Sequence, residues 1–431
     1  MKKTFSSFCF GCRVNQAEKE QLDRELELHG LIQDENKPSF YIINTCAVTQ
    51  KAEREARQLI YQIRRKFPKT KIVVTGCAAT KWLSEKSKMP SIDYLIANSD
   101  KRRITNMINK FVSDEIIKKY GLVKQSSQPL VFEDKFLNSG RLLVKIQDGC
   151  QRFCTYCIVP YLRGRLKSRK IKEIIEQINN EKNIQEVILT AINTEAFGLD
   201  TGESLTELLA ATLSETHVPR VSLGSINPWS IDDKFYNFYK KYNLAGRLVN
   251  FFHIPLQSGS NKILELMNRG YTREEFEEKI KRIHDINPMA LIATDVIVGF
   301  LDEDEKDFKD TYNFLERSPI YKFHIFRYSP REKTAAYFMS KNHKNIDEVT
   351  KVRRAKILSD LGKKKYNSFL EKHVGKTFPA LFLVRKKESY QEILLDNQIP
   401  AWIKTSKDLP REIHSVKITH LRDCLLFGIL A

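Results

Sequence analysis

The chain has 431 residues, 42% of them hydrophobic, which is too long for one ordinary core and implies two or three domains. Seventy-two Lys and Arg against 53 Asp and Glu leave a net charge of +19, favouring a polyanionic partner over an acidic small molecule alone. No run approaches the roughly 18 apolar residues of a membrane span, and the N-terminal MKKTFSSFCFGCR lacks the apolar stretch and cleavage site of a leader, so a cytoplasmic protein without membrane contact is expected.

Eight cysteines in that setting point to metal or redox chemistry before disulfides. Three of them follow extended apolar runs that end in a turn: Cys12 after TFSSFCF, Cys46 after FYIINT and Cys77 after KIVVTG. Helical patterns come after the first two, NQAEKEQLDRELELHG stopped by Gly30 and KAEREARQLIYQIRRKFP ended by Pro68. This alternation predicts an open parallel βα domain over 1–115. Ligands of such sheets lie beyond the carboxyl ends of the strands, where Cys12, Cys46 and Cys77 can converge. Each alone reads as a small buried apolar residue, whereas three at equivalent strand ends favour a shared site.

Residues 116–139 lose periodicity and gather Ser, Gln and Pro, as a linker does. From 140 to 368 the apolar runs RLLVKI, EVILTA, RVSLGSI, NFFHIPL, LIATDVIVGF and KFHIFRYS alternate with amphipathic stretches, which predicts an α/β (β/α)6 partial barrel. Sites in such barrels occupy the loops after the strands, and the first loop is QDGCQRFCTYCIVPYLRGR. Over 369–431 the runs FPALFLVR, YQEILLD, AWIKTS, HSVKITHL and LLFGILA predict a small β-barrel. Twelve basic against three acidic residues over 351–388 make nucleic acid the expected partner of this end.

Cys150, Cys154 and Cys157 are spaced C-x3-C-x2-C, one ligand short of a tetrahedral structural zinc site. Soft thiolates also select 4Fe-4S clusters, and three of them leave one iron open to a substrate or cofactor. A zinc site completed by Cys424 or a histidine is the competing reading. Cys9 is unassigned, and Cys424, alone in the last strand pattern, reads as a core thiol. Thr190 and Asn193 after the second barrel strand, and Gln257 and Ser258 after the fourth, are placed to hydrogen-bond a cofactor, or else to serve as turn and helix-cap residues. His253 reads as a satisfied core histidine and the acidic run from Asp302 to Asp307 as a helix N-terminus.

The triplet, with Tyr156 before its last cysteine, resembles the radical S-adenosylmethionine superfamily. GCRVNQAE, NTCAVT and VVTGCAA are similar to the N-terminal domain of the methylthiotransferase family, and VKIQDGC, PYLRGRLKSR and HIPLQSGSNKILELMNRGYTREEF to its radical domain. The C-terminal β-barrel takes the place of the family's TRAM domain, an RNA-binding module. GCRVNQAE together with VKIQDGC is most similar to the branch acting on threonylcarbamoyladenosine next to the tRNA anticodon.

The resemblance implies two 4Fe-4S clusters. One, on Cys150, Cys154 and Cys157, chelates S-adenosylmethionine and cleaves it to a 5'-deoxyadenosyl radical, with Tyr156 helping to seat the adenine. The other, on Cys12, Cys46 and Cys77, takes part in delivering sulfur. The implied reaction replaces the hydrogen at C2 of the modified adenosine with a methylthio group. The implied partners are the tRNA anticodon stem-loop and an electron donor such as flavodoxin or ferredoxin. Action on isopentenyladenosine in tRNA, action on a ribosomal protein, and a non-catalytic iron-sulfur RNA-binding redox sensor are the alternatives. Arg163, Arg165 and Arg169 could hold a tRNA phosphate or the cofactor carboxylate, or be solvated surface residues. The chain departs from the family's wording in four places. Leu301, Asp302 and Glu303 follow DVIVGF where Pro-Gly-Glu is usual, Asn227 precedes Pro228 in place of Glu, Ala191 replaces a Gly, and Arg327 with REKT replaces richer Pro and Gly.

Overall fold

A computed structural model describes residues 3–86, 91–108, 110, 140–243, 246–405 and 409–431. The linker expected over 116–139 lies outside the described residues. The chain forms two compact units, one of residues 3–110 with Gly149–Gln151 and Cys157–Arg165, the other of residues 140–148, Arg152–Tyr156 and Leu166–Ala431.

The first unit is built on five parallel strands, β1 (Thr4–Cys9), β2 (Ile32–Gln33), β3 (Phe40–Thr45), β4 (Lys71–Gly76) and β5 (Tyr94–Leu95), in the order β2-β1-β3-β4-β5. The middle strands β3 and β4 are buried on both faces, as their unbroken apolar runs require. Thr49 caps the helix Gln50–Lys66 by accepting from the Ala52 amide, and that helix stops before Pro68. The Thr45 hydroxyl donates to Thr75 O at 2.6 Å and accepts from the Ala79 amide, tying the end of β3 to β4 and to the helix Cys77–Ser84. This strand order belongs to doubly wound folds whose ligands lie between β1 and β3, where the crossover direction reverses.

In the second unit, β6 (Arg141–Asp148), β8 (Glu186–Ala191) and β9 (Arg220–Leu223) run parallel, with the short antiparallel β7 (Lys167–Ser168) on the outer edge of β6. A second parallel sheet holds β10 (Phe251–His253), β11 (Leu291–Val298) and β12 (Lys322–Arg327). Backbone bonds from Val249 N to Val221 O and from Ile226 N to His253 O carry the ladder from β9 to β10. The result is the expected (β/α)6 partial barrel, with helices such as Leu205–Glu215 and Arg273–Ile286 packed outside it over Val187, Leu189, Phe252 and Ile292. Capping boxes at Thr272 with Glu275 and at Asp304 with Asp307 start two of these helices, the second within the expected acidic run.

The C-terminal strands β13 (Thr377–Lys387), β14 (Tyr390–Leu395), β15 (Pro400–Lys404), β16 (Ile413–Arg422) and β17 (Leu425–Leu430) close a barrel in the order β13-β14-β15-β17-β16 around Ala380, Phe382, Ile393, Ala401, Val416 and Ile418. This barrel docks on the opening residues of the central strands. Arg220, the first residue of β9, donates to Leu394 O at 2.8 Å and Pro379 O at 2.6 Å, and Gln398 joins Glu186 and Arg141, the first residues of β8 and β6. It therefore covers the end of the partial barrel opposite the loops that follow the strands. Among the described residues no helix is long and apolar enough to cross a membrane.

Candidate active site

The three N-terminal cysteines leave adjacent strands at their carboxyl ends. Cys12 caps the helix Arg13–Leu28 after β1, Cys46 follows β3, and Cys77 opens a helix directly after β4. Two glycines make the approach possible. Gly11 has φ +92°, and a Cβ there would lie 2.7 Å from the Cys46 sulfur; at Gly76, φ +96°, it would lie 2.4 Å from Thr45 O. Cys12 is exposed while Cys46 and Cys77 are buried. Burial pushes the Cys46 thiol up to about 12 and raises that of Cys77, the neighbouring cysteines push in the same direction, and Arg163 pulls both down. A metal taking these sulfurs would release the protons they hold. Cys9, at the end of β1, is pushed up to about 11 by burial.

The second triplet occupies the loop after β6. Gly149, φ +74°, lies so close to Arg165 that a Cβ would meet its carbonyl oxygen at 2.0 Å, and the Cys150 amide donates to Gly164 O. Further along, the Thr155 amide and hydroxyl donate to Met267 O and Leu266 O, and Thr155 O accepts from the Ala336 amide. Cys154 is met by an arginine that sequence reasoning passed over: Arg269 Nη1 donates to Cys154 Sγ at 3.2 Å and to the Tyr156 hydroxyl at 3.3 Å. Its guanidinium lies 4.7 Å from the Trp229 ring centre, and that of Arg152 lies 4.1 Å from the same ring. Burial alone lowers the pKa of Arg269, but the charges of Tyr156, Tyr271 and Cys154 outweigh it and hold it above its ordinary value. The signal in the sequence is an arginine two residues after apolar Met267 and directly ahead of Gly270.

Tyr156 packs against the buried cluster that holds Ile263, Met267, Phe300 and Leu301. Asn193 accepts from the Glu195 amide as a helix cap and also from Asn227, so the residue standing in for Glu before Pro228 is bonded to the end of β8. Thr190 is buried, and its hydroxyl faces Gly224. Gln257 takes φ +77° and pairs by backbone with Asp295 and Ile297, while the Ser258 hydroxyl bonds Thr311 and the Ser260 amide. His253 is satisfied as expected, but by a carboxylate: its Nε2 is 2.8 Å from Asp295 Oδ1, and His324 Nδ1 lies 3.2 Å from the same oxygen. Burial raises the Asp295 carboxyl, yet its two imidazole partners bring it down to about 2.

Two expectations need correction. Arg163 is buried and bonded to Glu18, Asn15 and Cys77, and Arg169 bonds Lys145 O and Gln177, so neither stands ready for a phosphate; Arg165 is exposed. Cys424 is exposed, because Asp423 and Cys424, φ +51° and +57°, form the turn between β16 and β17. Asp302, where glycine is usual, itself adopts φ +56°, a conformation Asp tolerates better than most residues, and its carboxylate binds His343 Nδ1 at 2.6 Å and the Lys344 amide at 2.7 Å.

None of the eight cysteines forms a disulfide, and one sulfur of each triplet accepts from a buried arginine. That donor set suits a thiolate-bound iron-sulfur group, since arginine hydrogen bonds favour the thiolate and orient it. Residues 144–315 match the radical SAM superfamily, and residues 4–97 match the uncharacterized protein family UPF0004. The chain is 35% identical over 410 residues to the threonylcarbamoyladenosine tRNA methylthiotransferase MtaB of Aquifex aeolicus, covering 91% of this chain and 98% of that one. The chain belongs to the tRNA methylthiotransferase family. Another member, MtaB of Bacillus subtilis, is 31% identical over 96% of this chain and 93% of its own. A tRNA-2-methylthio-N(6)-dimethylallyladenosine synthase of Thermosipho africanus is 32% identical over 88% of this chain and 87% of its own. Among solved structures, the radical S-adenosylmethionine methyltransferase TsrM of Kitasatospora setae aligns with a TM-score of 0.53 at 13% identity, covering 79% of this chain and 78% of that one, a likeness of fold.

Proposed function

We propose that this chain replaces the hydrogen at C2 of threonylcarbamoyladenosine in tRNA with a methylthio group. The observation that carries the reading is the pair of cysteine triplets, each at the carboxyl ends of parallel strands and each with an arginine donating to one sulfur. Cys150, Cys154 and Cys157 hold one 4Fe-4S cluster, and Cys12, Cys46 and Cys77 hold the other. Bound there, the clusters supply an open iron for S-adenosylmethionine, the electron that cleaves it, and a seat for the transferred sulfur.

The chain's own residues do the rest. Arg269 fixes Cys154 and Tyr156 together, so the tyrosine ring is held ready for the adenine. Thr190 near the end of β8, Asn193 just after it, and Gln257 and Ser258 in the loop after β10 shape the strand-end loops where the cofactor would sit. Residues 1–115, 140–368 and 369–431 act as sulfur-delivery, radical and RNA-binding modules. In the last, Arg385, Lys386 and Lys387 on β13 and the stacked rings of His420 and Phe427, 5.0 Å apart, offer charge and an aromatic face to the anticodon stem-loop. A flavodoxin or ferredoxin in the cytoplasm donates the electron.

Nucleosides from the tRNA of a deletion strain and its parent test the reading. Loss of the methylthio derivative of threonylcarbamoyladenosine supports it. Retention of that product, with loss of methylthio-dimethylallyladenosine, would move the chain to the neighbouring branch, to which its identity is similar.

A further inference from the structure

The Arg163 side chain is 1% exposed, although it stands only six residues after Cys157. It ends the short helix Val159–Arg163 and turns its guanidinium toward the N-terminal cysteines of its own unit. There Nη1 and Nη2 donate to Glu18 at 3.0 and 3.3 Å, Nη2 also donates to Asn15 Oδ1 at 2.6 Å, and the same group hydrogen-bonds the Cys77 sulfur. Asn15 and Glu18 are buried on the helix that Cys12 caps. Lys101 also pairs with Glu18 and bonds Asn98 Oδ1 at 2.8 Å.

Arg163 and Lys101 therefore share the Glu18 carboxylate beside the N-terminal cysteines, and the charge of both reaches the Cys77 sulfur through an interior whose low dielectric strengthens it. Only a guanidinium, with five donors in a fixed fork, serves a carboxylate, an amide and a sulfur together; a lysine ammonium lacks that planar reach. Hydrogen bonds and net charge at the sulfurs are chief levers on cluster potentials, and a fixed cation favours the more negative, reduced form.

We propose that Arg163 is a positioning residue of the N-terminal iron-sulfur centre, donating to the Cys77 thiolate and, with Lys101, holding the centre's reduction potential above the value three thiolates alone would give. The proposal rests on the reading that Cys12, Cys46 and Cys77 hold a cluster.

Anaerobic redox titration of the two-cluster enzyme, followed by electron paramagnetic resonance, tests it; protein with Cys150→Ala, Cys154→Ala and Cys157→Ala identifies the signal of the N-terminal centre. Arg163→Met is expected to shift the one-electron equilibrium of that signal at least tenfold toward the oxidised form, about 59 mV. Arg163→Lys, which keeps the charge but not the fork, is expected to shift it less. Glu18→Gln removes the opposing charge while keeping an acceptor, and is expected to raise the potential. A purely structural role gives no such pair of opposite shifts. Unchanged potentials in fully loaded Arg163→Met and Glu18→Gln proteins would overturn the proposal. If Arg163→Met fails to hold iron, Glu18→Gln decides, and a potential that does not rise overturns it. Wild-type enzyme that binds only one cluster would overturn the underlying reading instead.

Discussion

Arg269 donates to the sulfur of Cys154 and to the hydroxyl of Tyr156 from the same nitrogen, Nη1, linking the middle of the cysteine triplet to the aromatic residue that follows it. Outer partners of metal ligands typically tune affinity or activity by 10–100-fold. Arg269→Gln is therefore expected to slow 5'-deoxyadenosine release from S-adenosylmethionine by about 10–100-fold while the iron content holds. Arg269→Lys should recover only part of the rate, because a point charge replaces a planar fork. Anaerobic single-turnover assays with parallel iron analysis measure both, and wild-type rates in Arg269→Gln would remove this residue from the chemistry.

Arg220 anchors the C-terminal barrel with a side chain that is almost fully buried. Burial lowers its pKa, and the charges of Glu186 and Asp396 oppose that effect. Arg220→Met would leave the carbonyls of Leu394 and Pro379 without their donor and remove a positive charge from beside Asp396 and Glu186, the latter keeping its ion pair with Arg141. The expected loss is about 2–6 kcal/mol, at about 1–3 for each buried acceptor left unsatisfied. Urea denaturation of the cluster-free chain should show it as a lower midpoint; an unchanged midpoint would mean that the docking depends on other contacts.

His373, between the long helix Glu348–Glu371 and β13, has no exposed surface, and its ring nitrogens face Phe369 O at 2.9 Å and Asn397 Nδ2 at 2.8 Å. Burial brings its pKa down to about 4 from 6.5. The folded chain thus binds fewer protons than the unfolded chain between those values. Stability is fully present above pH 6.5 and is lost as pH falls toward 4, by about 3 kcal/mol from this group. Denaturation midpoints across that window should flatten in His373→Gln, and an unaltered slope would assign the pH dependence elsewhere.

Arg385, Lys386 and Lys387 lie together at the exposed end of β13, just past a bulge. Replacing all three with alanine should weaken tRNA binding and make the plot of log affinity against log salt less steep by roughly 2 to 3, at about 0.9 for each phosphate no longer neutralised. Cleavage of S-adenosylmethionine without tRNA should be unaffected. Equal salt slopes in variant and wild type would mean that the tRNA passes over another face.

Much of this was legible because the relevant signals are local. Apolar runs ending in cysteine at Cys12, Cys46 and Cys77 became β1, β3 and β4 with their following turns or helices, and the five C-terminal runs became the closed barrel. The contacts of Arg269, Arg163 and Arg220 were not legible, since each depends on side chains brought together only by strand order. Asp295 was missed for the same reason: in sequence it is one acid in an apolar strand, and only the register of β11 and β12 sets it opposite His324. Cys424 was misread because an alternating pattern does not reveal where one strand stops and a two-residue turn begins.

The N-terminal thiols follow three neighbouring strands, so, unlike the triplet at 150–157, no short contiguous peptide carries all three of them. A cluster held by these three sulfurs, as proposed above, would need β1, β3 and β4 paired side by side first, so its insertion would follow sheet assembly. A nascent or misregistered chain would present its sulfurs scattered, and incorporation of the inorganic core would act as a proofreading step on sheet assembly.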